Sequence, residues 1–210
     1  MKLNTLENMA MNNPVRGFFQ ERHEMQIFRR SAPARQFSTV LDIGCGNGAG
    51  SRLIQKYFRP EKIIAVDLDE NMIARARRRI DDPNIDFRVM DAAHLEFPGN
   101  SFDAVFNFGI IHHIARWRDC IDHVQRVLRP GGTFFVEELA LETFAGFPGV
   151  LWKVLSAHPY ESMFSFDELI GYLKTSGFDI QSVHHSNPLR AIHRIFLNAE
   201  LVKTEGPGAS

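Results

Sequence analysis

The chemistry this sequence offers first lies where an apolar run meets a glycine cluster. Val40-Leu41-Asp42-Ile43-Gly44-Cys45-Gly46-Asn47-Gly48-Ala49-Gly50 passes from a strand-like pattern into a helical one. Glycines at such a junction let the backbone approach a ligand closely. The spacing fits the loose dinucleotide fingerprint, with Gly44, Gly46 and Ala49 at its small positions. Charge argues against a dinucleotide. Asp42 stands two residues before the first glycine, and no Lys or Arg lies within the loop. A carboxylate there repels a pyrophosphate and attracts a cation. Asp67 closes the next apolar run, Ile63–Val66, where a carboxylate can accept hydrogen bonds from both ribose hydroxyls. Asp91 closes a third run and is followed by Ala92-Ala93. It can accept from an adenine amino group while the Ala92 N–H serves the ring. Turn or cap duty is the alternative for Asp42 and Asp91. For Asp67 that alternative is weaker, because Asp69 is better placed to cap the next helix.

A second group of candidates follows the fourth apolar run, in Asn107-Phe108-Gly109-Ile110-Ile111-His112-His113-Ile114. Histidine titrates near neutrality, so His113 and, next, His112 are candidate bases or substrate anchors. Their alternative is hydrogen bonding at a helix start. A metal site from His94, His112 and His113 has no recognised ligand spacing, so no metal is expected. His158, Tyr160 and Glu161 lie after the fifth strand and are further candidates for the substrate side. Glu137 and Glu138 end that strand, and strand alternation points them to opposite faces.

These residues need a scaffold of alternating strands and helices. Strand patterns fall at residues 40–43, 63–66, 85–89, 102–108 and from Thr133, with helical patterns at 51–58, 70–80 and 117–128. Pro130-Gly131-Gly132 reads as the stop of the third helix. Such alternation predicts a parallel sheet with helices on both faces and right-handed crossovers. Beyond it, Ser165 caps a helix that Gly177 ends. Residues 178–185 and 191–202 read as strands around an Asn187-Pro188 turn, able to pair antiparallel at one sheet edge. Residues 14–31 read as an amphipathic cap helix, 38–138 as the cofactor-binding core, 139–165 as a substrate-side cover and 204–210 as a frayed tail. Together 1–203 make one domain.

Five stretches in order carry a resemblance: VLDIGCGNG (Val40–Gly48), VDLDENMI (Val66–Ile73), MDAAHLEFP (Met90–Pro98), SFDAVFNFGIIHHI (Ser101–Ile114) and LRPGG (Leu128–Gly132). The chain resembles the class I S-adenosylmethionine-dependent methyltransferases, in the branch similar to ubiquinone- and menaquinone-biosynthesis methyltransferases. The resemblance implies a Rossmann-like three-layer sandwich with a mostly parallel seven-stranded sheet, order 3-2-1-4-5-7-6, last strand antiparallel. It implies S-adenosyl-L-methionine as cofactor, a phosphate-free nucleoside carrying a sulfonium and an ammonium. It places Asp42 and Gly44 at the methionine end, Asp67 at the ribose, and Leu68, Asp91 and Ala92 around adenine. Cys45, Gly46 and Asn107 complete the implied cofactor surface. Methyl transfer needs a nucleophile held in line and in some cases one base, with neither metal nor covalent intermediate.

Bulk composition narrows the partners. The 210 residues include 24 Lys and Arg against 25 Asp and Glu, which gives no basic excess for a nucleic acid. Arg75, Arg77, Arg78 and Arg79 read as a solvated helix face. Two cysteines, Cys45 and Cys120, cannot build a disulfide framework, so a reducing, cytoplasmic setting is expected. No signal peptide or run of about 18 apolar residues is present, so no integral membrane segment is expected. Phe18 and Phe19 with Arg16 and Arg22 allow a peripheral lipid contact, although a cap over the site is the preferred reading. The expected activity is methyl transfer to a small molecule with apolar character, quinone-like or lipid. A catalytically inactive cofactor-binding interaction protein and an NAD-dependent oxidoreductase are the alternatives. Acceptor and oligomeric state stay open.

Overall fold

Short apolar runs become strands here because the central strands of a sheet covered on both faces bury nearly every position. The computed structural model describes residues 23–144, 163–187 and 193–202. Its strands are β1 (Thr39–Ile43), β2 (Lys62–Asp67), β3 (Ile85–Val89), β4 (Phe102–Phe108), β5 (Leu128–Leu139), β6 (Phe178–Ser186) and β7 (Arg194–Leu201). They form one sheet in the order β3-β2-β1-β4-β5-β7-β6. Strands β1 to β5 pair parallel, and β7 runs antiparallel to both β5 and β6. The two late strands do pair with each other as the sequence suggests. As the expected order 3-2-1-4-5-7-6 has it, β7 inserts beside β5 and leaves β6 as the edge.

Alternation along each strand divides the core in two. On one face Leu41, Ile43, Val105, Phe134 and Leu197 pack under α4 (Trp117–Val127) and α5 (Phe166–Thr175). On the other, Val40, Ala65, Phe106, Phe135 and Phe196 pack under α1 (Met25–Ser31), α2 (Ala49–Phe58) and α3 (Glu70–Arg79). Phe28 anchors α1: it is fully buried, and its ring meets those of Phe106, Phe108, Phe135 and Phe196. Aromatic clusters of this kind add to area burial through edge-to-face contacts. Helix starts follow local chemistry. Asp69 accepts from the Asn71 N–H to cap α3, and Ser165 with Glu168 makes a reciprocal capping box on α5.

One boundary differs from expectation. The sequence stops a helix with Pro130-Gly131-Gly132 and starts the fifth strand at Thr133. In the structure α4 ends at Val127 and β5 begins at once, pairing Leu128 with Phe102. The register then shifts between Phe102 and Ala104, with Gly131 at φ 77°, so the Pro-Gly-Gly run lies inside an irregular strand start. The expected 14–31 helix is described only from residue 23, and α1 covers Met25–Ser31. The frayed tail and the candidate lipid contact of Phe18 and Phe19 lie outside the described residues, as does most of the 139–165 cover. The arginines of α3 are exposed, as a solvated helix face requires.

Candidate functional site

Parallel strands end together, so the loops after β1, β2, β3 and β4 gather at one edge, the usual ligand crevice of an open α/β sheet. The glycine loop after β1 needs left-handed backbone: Gly44, Gly46 and Gly48 have φ of 66°, 53° and 82°. At Gly44 a Cβ would collide with the Ile110 side chain, 2.7 Å from its Cβ. At Gly46 a Cβ would meet nothing within 4 Å, so this residue borders open space.

Asp67 ties that loop to β2. One carboxylate oxygen accepts from the Gly46 N–H and the other from the Asp69 N–H, both at 2.9 Å. Burial raises its pKa from the ordinary carboxylate range, against those two hydrogen bonds. Asp42 lies beneath the loop. It is fully buried, and its Oδ2 accepts from the Ser51 hydroxyl at 2.6 Å. Its Oδ1 is buried with no hydrogen-bond partner among the described residues. Burial drives its pKa up to about 7, opposed by the Ser51 bond and reinforced by the Asp67 charge. The sequence predicts a carboxylate beside the loop. The structure places it below, where its charge is only partial at neutral pH. The Cys45 thiol is also held up by burial, then by Asp42 and Asp67, and so stays neutral.

The adenine-side candidates are arranged in sequence order along the same edge. Leu68 is 44% exposed at the end of β2, and Ala92 is buried. Asp91 Oδ1 accepts from the Ala93 N–H at 2.9 Å, a local turn that leaves its other oxygen unassigned.

Asn107 and the two histidines form a second cluster, after β4. The Asn107 amide donates to the Glu137 carbonyl at 2.9 Å and to Glu138 Oε1 at 2.8 Å, and its oxygen accepts from the Ile110 N–H at 3.1 Å. It is fully buried and ties the turn after β4 to β5. His112 and His113 sit on a short 3-10 turn, Ile111–His113, with ring centroids 4.2 Å apart. His112 is buried and its Nδ1 meets Glu138 Oε2 at 2.5 Å; His113 is partly exposed. Glu137 and Glu138 do face opposite ways. Glu137 takes Arg194 at 3.1 Å, which also holds Glu24 of the α1 entry at 2.6 Å, and Glu138 takes His112. Sequence reasoning missed Ser51 as the partner of Asp42. The signal was a hydroxyl on the first turn of α2. His158, Tyr160 and Glu161 lie outside the described residues. No group of three His, Cys, Asp or Glu is arranged for a metal among the described residues, and no described helix is long and apolar enough to cross a membrane.

The arrangement suits a cationic nucleoside. The Asp67 charge adds to burial in raising the pKa of Asp42, one buried Asp42 oxygen lacks a hydrogen-bond partner among the described residues, and the loop opens at Gly46 without a basic side chain. A positive ligand group there relieves the repulsion, whereas a pyrophosphate adds to it.

Residues 41–136 match the family model described as a methyltransferase domain. A Mycolicibacterium smegmatis protein described as a probable S-adenosylmethionine-dependent methyltransferase is 33% identical over 84% of this chain and 64% of its own length. A fatty-acid O-methyltransferase of the same organism is 36% identical over 54% of this chain and 42% of its own. The chain therefore spans less than two thirds of either relative. Among solved structures, an S-adenosylmethionine-dependent methyltransferase from Aquifex aeolicus superposes with TM-score 0.74 over 96% of this chain and all of the other, at 17% identity. That likeness concerns the fold.

Proposed function

We propose that this chain, which belongs to the S-adenosylmethionine-dependent methyltransferase family, transfers a methyl group from S-adenosyl-L-methionine to a small molecule with apolar surface, lipid or quinone-like. The observation that carries the cofactor is the acidic, cation-free glycine loop over Asp42 and Asp67. Asp67 would hold the ribose, the Gly44–Gly46 backbone with Asp42 beneath it the methionine end, and Leu68, Asp91 and Ala92 the adenine. When bound, the cofactor supplies an electrophilic methyl on a sulfonium, which leaves as a neutral thioether. The chain's own task is to orient an acceptor, exclude water and accept a proton where the acceptor carries one. His113 and His112 are the described candidates for that proton. The 36% identity to a fatty-acid O-methyltransferase supports an acceptor with a long apolar part, and so does the Phe- and Leu-rich composition of residues 140–157.

Calorimetric titration tests the cofactor, and a methyl-transfer panel tests the acceptor. We expect S-adenosylhomocysteine to bind and NADH to give no heat. Tight NADH binding with silence toward S-adenosylhomocysteine would end this reading. Cofactor binding without turnover on quinols, fatty acids and fatty alcohols would leave a binding protein.

A further inference from the structure

An open sheet has two edges, and natural sequences guard them because unpaired N–H and C=O groups invite another strand. The two edges of this sheet are guarded unequally. Strand β3 has five residues, Pro83 stands just ahead of it, and the Arg88–Asp86 ion pair at 2.6 Å lies along it. Strand β6 has nine residues, Phe178–Ser186, with no Lys, Arg or Pro among them. Val183 is 42% exposed there, and Asp179, Gln181, His184 and His185 are exposed with it. Among the described residues β7 is the only strand that pairs with β6.

The pattern along β6 is self-complementary. Its register against β7 shifts between Ile180 and Ser182, which leaves Gln181 as an extra, bulged residue. Phe178 and Ile180 point to the α5 face of the sheet, and so does Val183, opposite Leu197. Asp179 points to the α1 face by alternation. His184 points there too, opposite Phe196, with its ring near those of Phe196 and His23. A second β6 laid antiparallel about a twofold axis at Ser182 therefore matches like faces. Ile180 meets Val183 of the second copy, Asp179 meets its His184, and each pair occurs twice. Within the chain Asp179 stands opposite Glu200, a like-charge pair, while its Oδ2 accepts from Gln181 Nε2 at 2.8 Å. An imidazole N–H from the second copy offsets that repulsion.

We propose that β6 is a homodimer interface, where a second copy of this chain adds its own β6 antiparallel and continues the sheet across a twofold axis at Ser182. This goes beyond the proposed methyl transfer and does not depend on it. Main-chain hydrogen bonds supply the affinity, and the Ile180–Val183 and Asp179–His184 pairs set the register. The second copy is inverted along the strand direction, so the two cofactor crevices open at opposite ends of the extended sheet. Pairing uses up the open edge, and the guarded β3 edge stops further addition, so the assembly closes at two chains.

Sedimentation equilibrium of the wild type at tens of micromolar should give twice the chain mass. Val183→Lys sets a charge in the middle of the seam and should raise the dimer dissociation constant at least about 30-fold, the scale of a lost hot spot. Cross-linking reads the register. Cys45 and Cys120 are buried, so an introduced thiol is the accessible one. In Ser182→Cys the thiol lies opposite its own copy within disulfide reach, and mild oxidation should link the two chains. In Asp179→Cys the two thiols stand several residues apart along the seam and should not link. A wild-type mass of one chain overturns the proposal even if no variant folds. So does a dimer that Val183→Lys leaves unweakened, a Ser182→Cys protein that stays unlinked, or linkage through Asp179→Cys.

Discussion

Replacing Asp42 by Asn removes a buried carboxyl while keeping its shape and an oxygen for the Ser51 hydroxyl. The carboxyl titrates at 3.8 when unfolded and at about 7 when folded, chiefly because burial penalises its charge. A folded-state pKa above the unfolded one means that the native state holds the proton longer. The relative stability is therefore fully present below pH 3.8 and is lost as pH rises to about 7. Over that window the difference amounts to about 4 kcal/mol, at 1.36 kcal/mol for each pH unit. Asn carries no proton to lose. Urea unfolding of both proteins at pH 4 and pH 8 isolates the effect, because every other titrating group cancels in the comparison. At pH 4 the two should be close. By pH 8 Asp42→Asn should be the more stable, by an amount approaching about 4 kcal/mol. A stability difference that does not change with pH would refute the burial argument and return Asp42 to an ordinary solvated carboxylate.

Asp67→Ala should weaken S-adenosylhomocysteine binding by about 1–3 kcal/mol, the scale of charge-assisted hydrogen bonds, and calorimetry at fixed pH reads it. An unchanged dissociation constant places the ribose elsewhere. Gly44→Ala combines a left-handed φ of 66° with a Cβ driven into Ile110, so a stability loss of about 2–4 kcal/mol is expected from thermal unfolding. A melting temperature within a degree of wild type would show that the loop can rearrange at little cost.

Much of the scaffold was legible because period and punctuation are local. Apolar runs ending in Asp67 and Asp91, the Asp69 cap and the Ser165 start all depend on residues within a few positions of each other. Pro130-Gly131-Gly132 misled for the same reason. Locally it stops a helix, but Leu128 has already found Phe102 across the sheet, and pairing overrides the local signal.

The sequence by itself determined the parallel core, the acidic glycine loop without a cation, and the opposite facing of Glu137 and Glu138, since each follows from composition or from a period of two along a strand. Tertiary structure alone decided that Asp42 is sealed under its loop with a pKa near 7, and that Glu138 meets His112 from 26 residues away. Burial and cross-strand contact are properties of a packed neighbourhood. No short stretch of chain carries the dielectric or the partner that sets them.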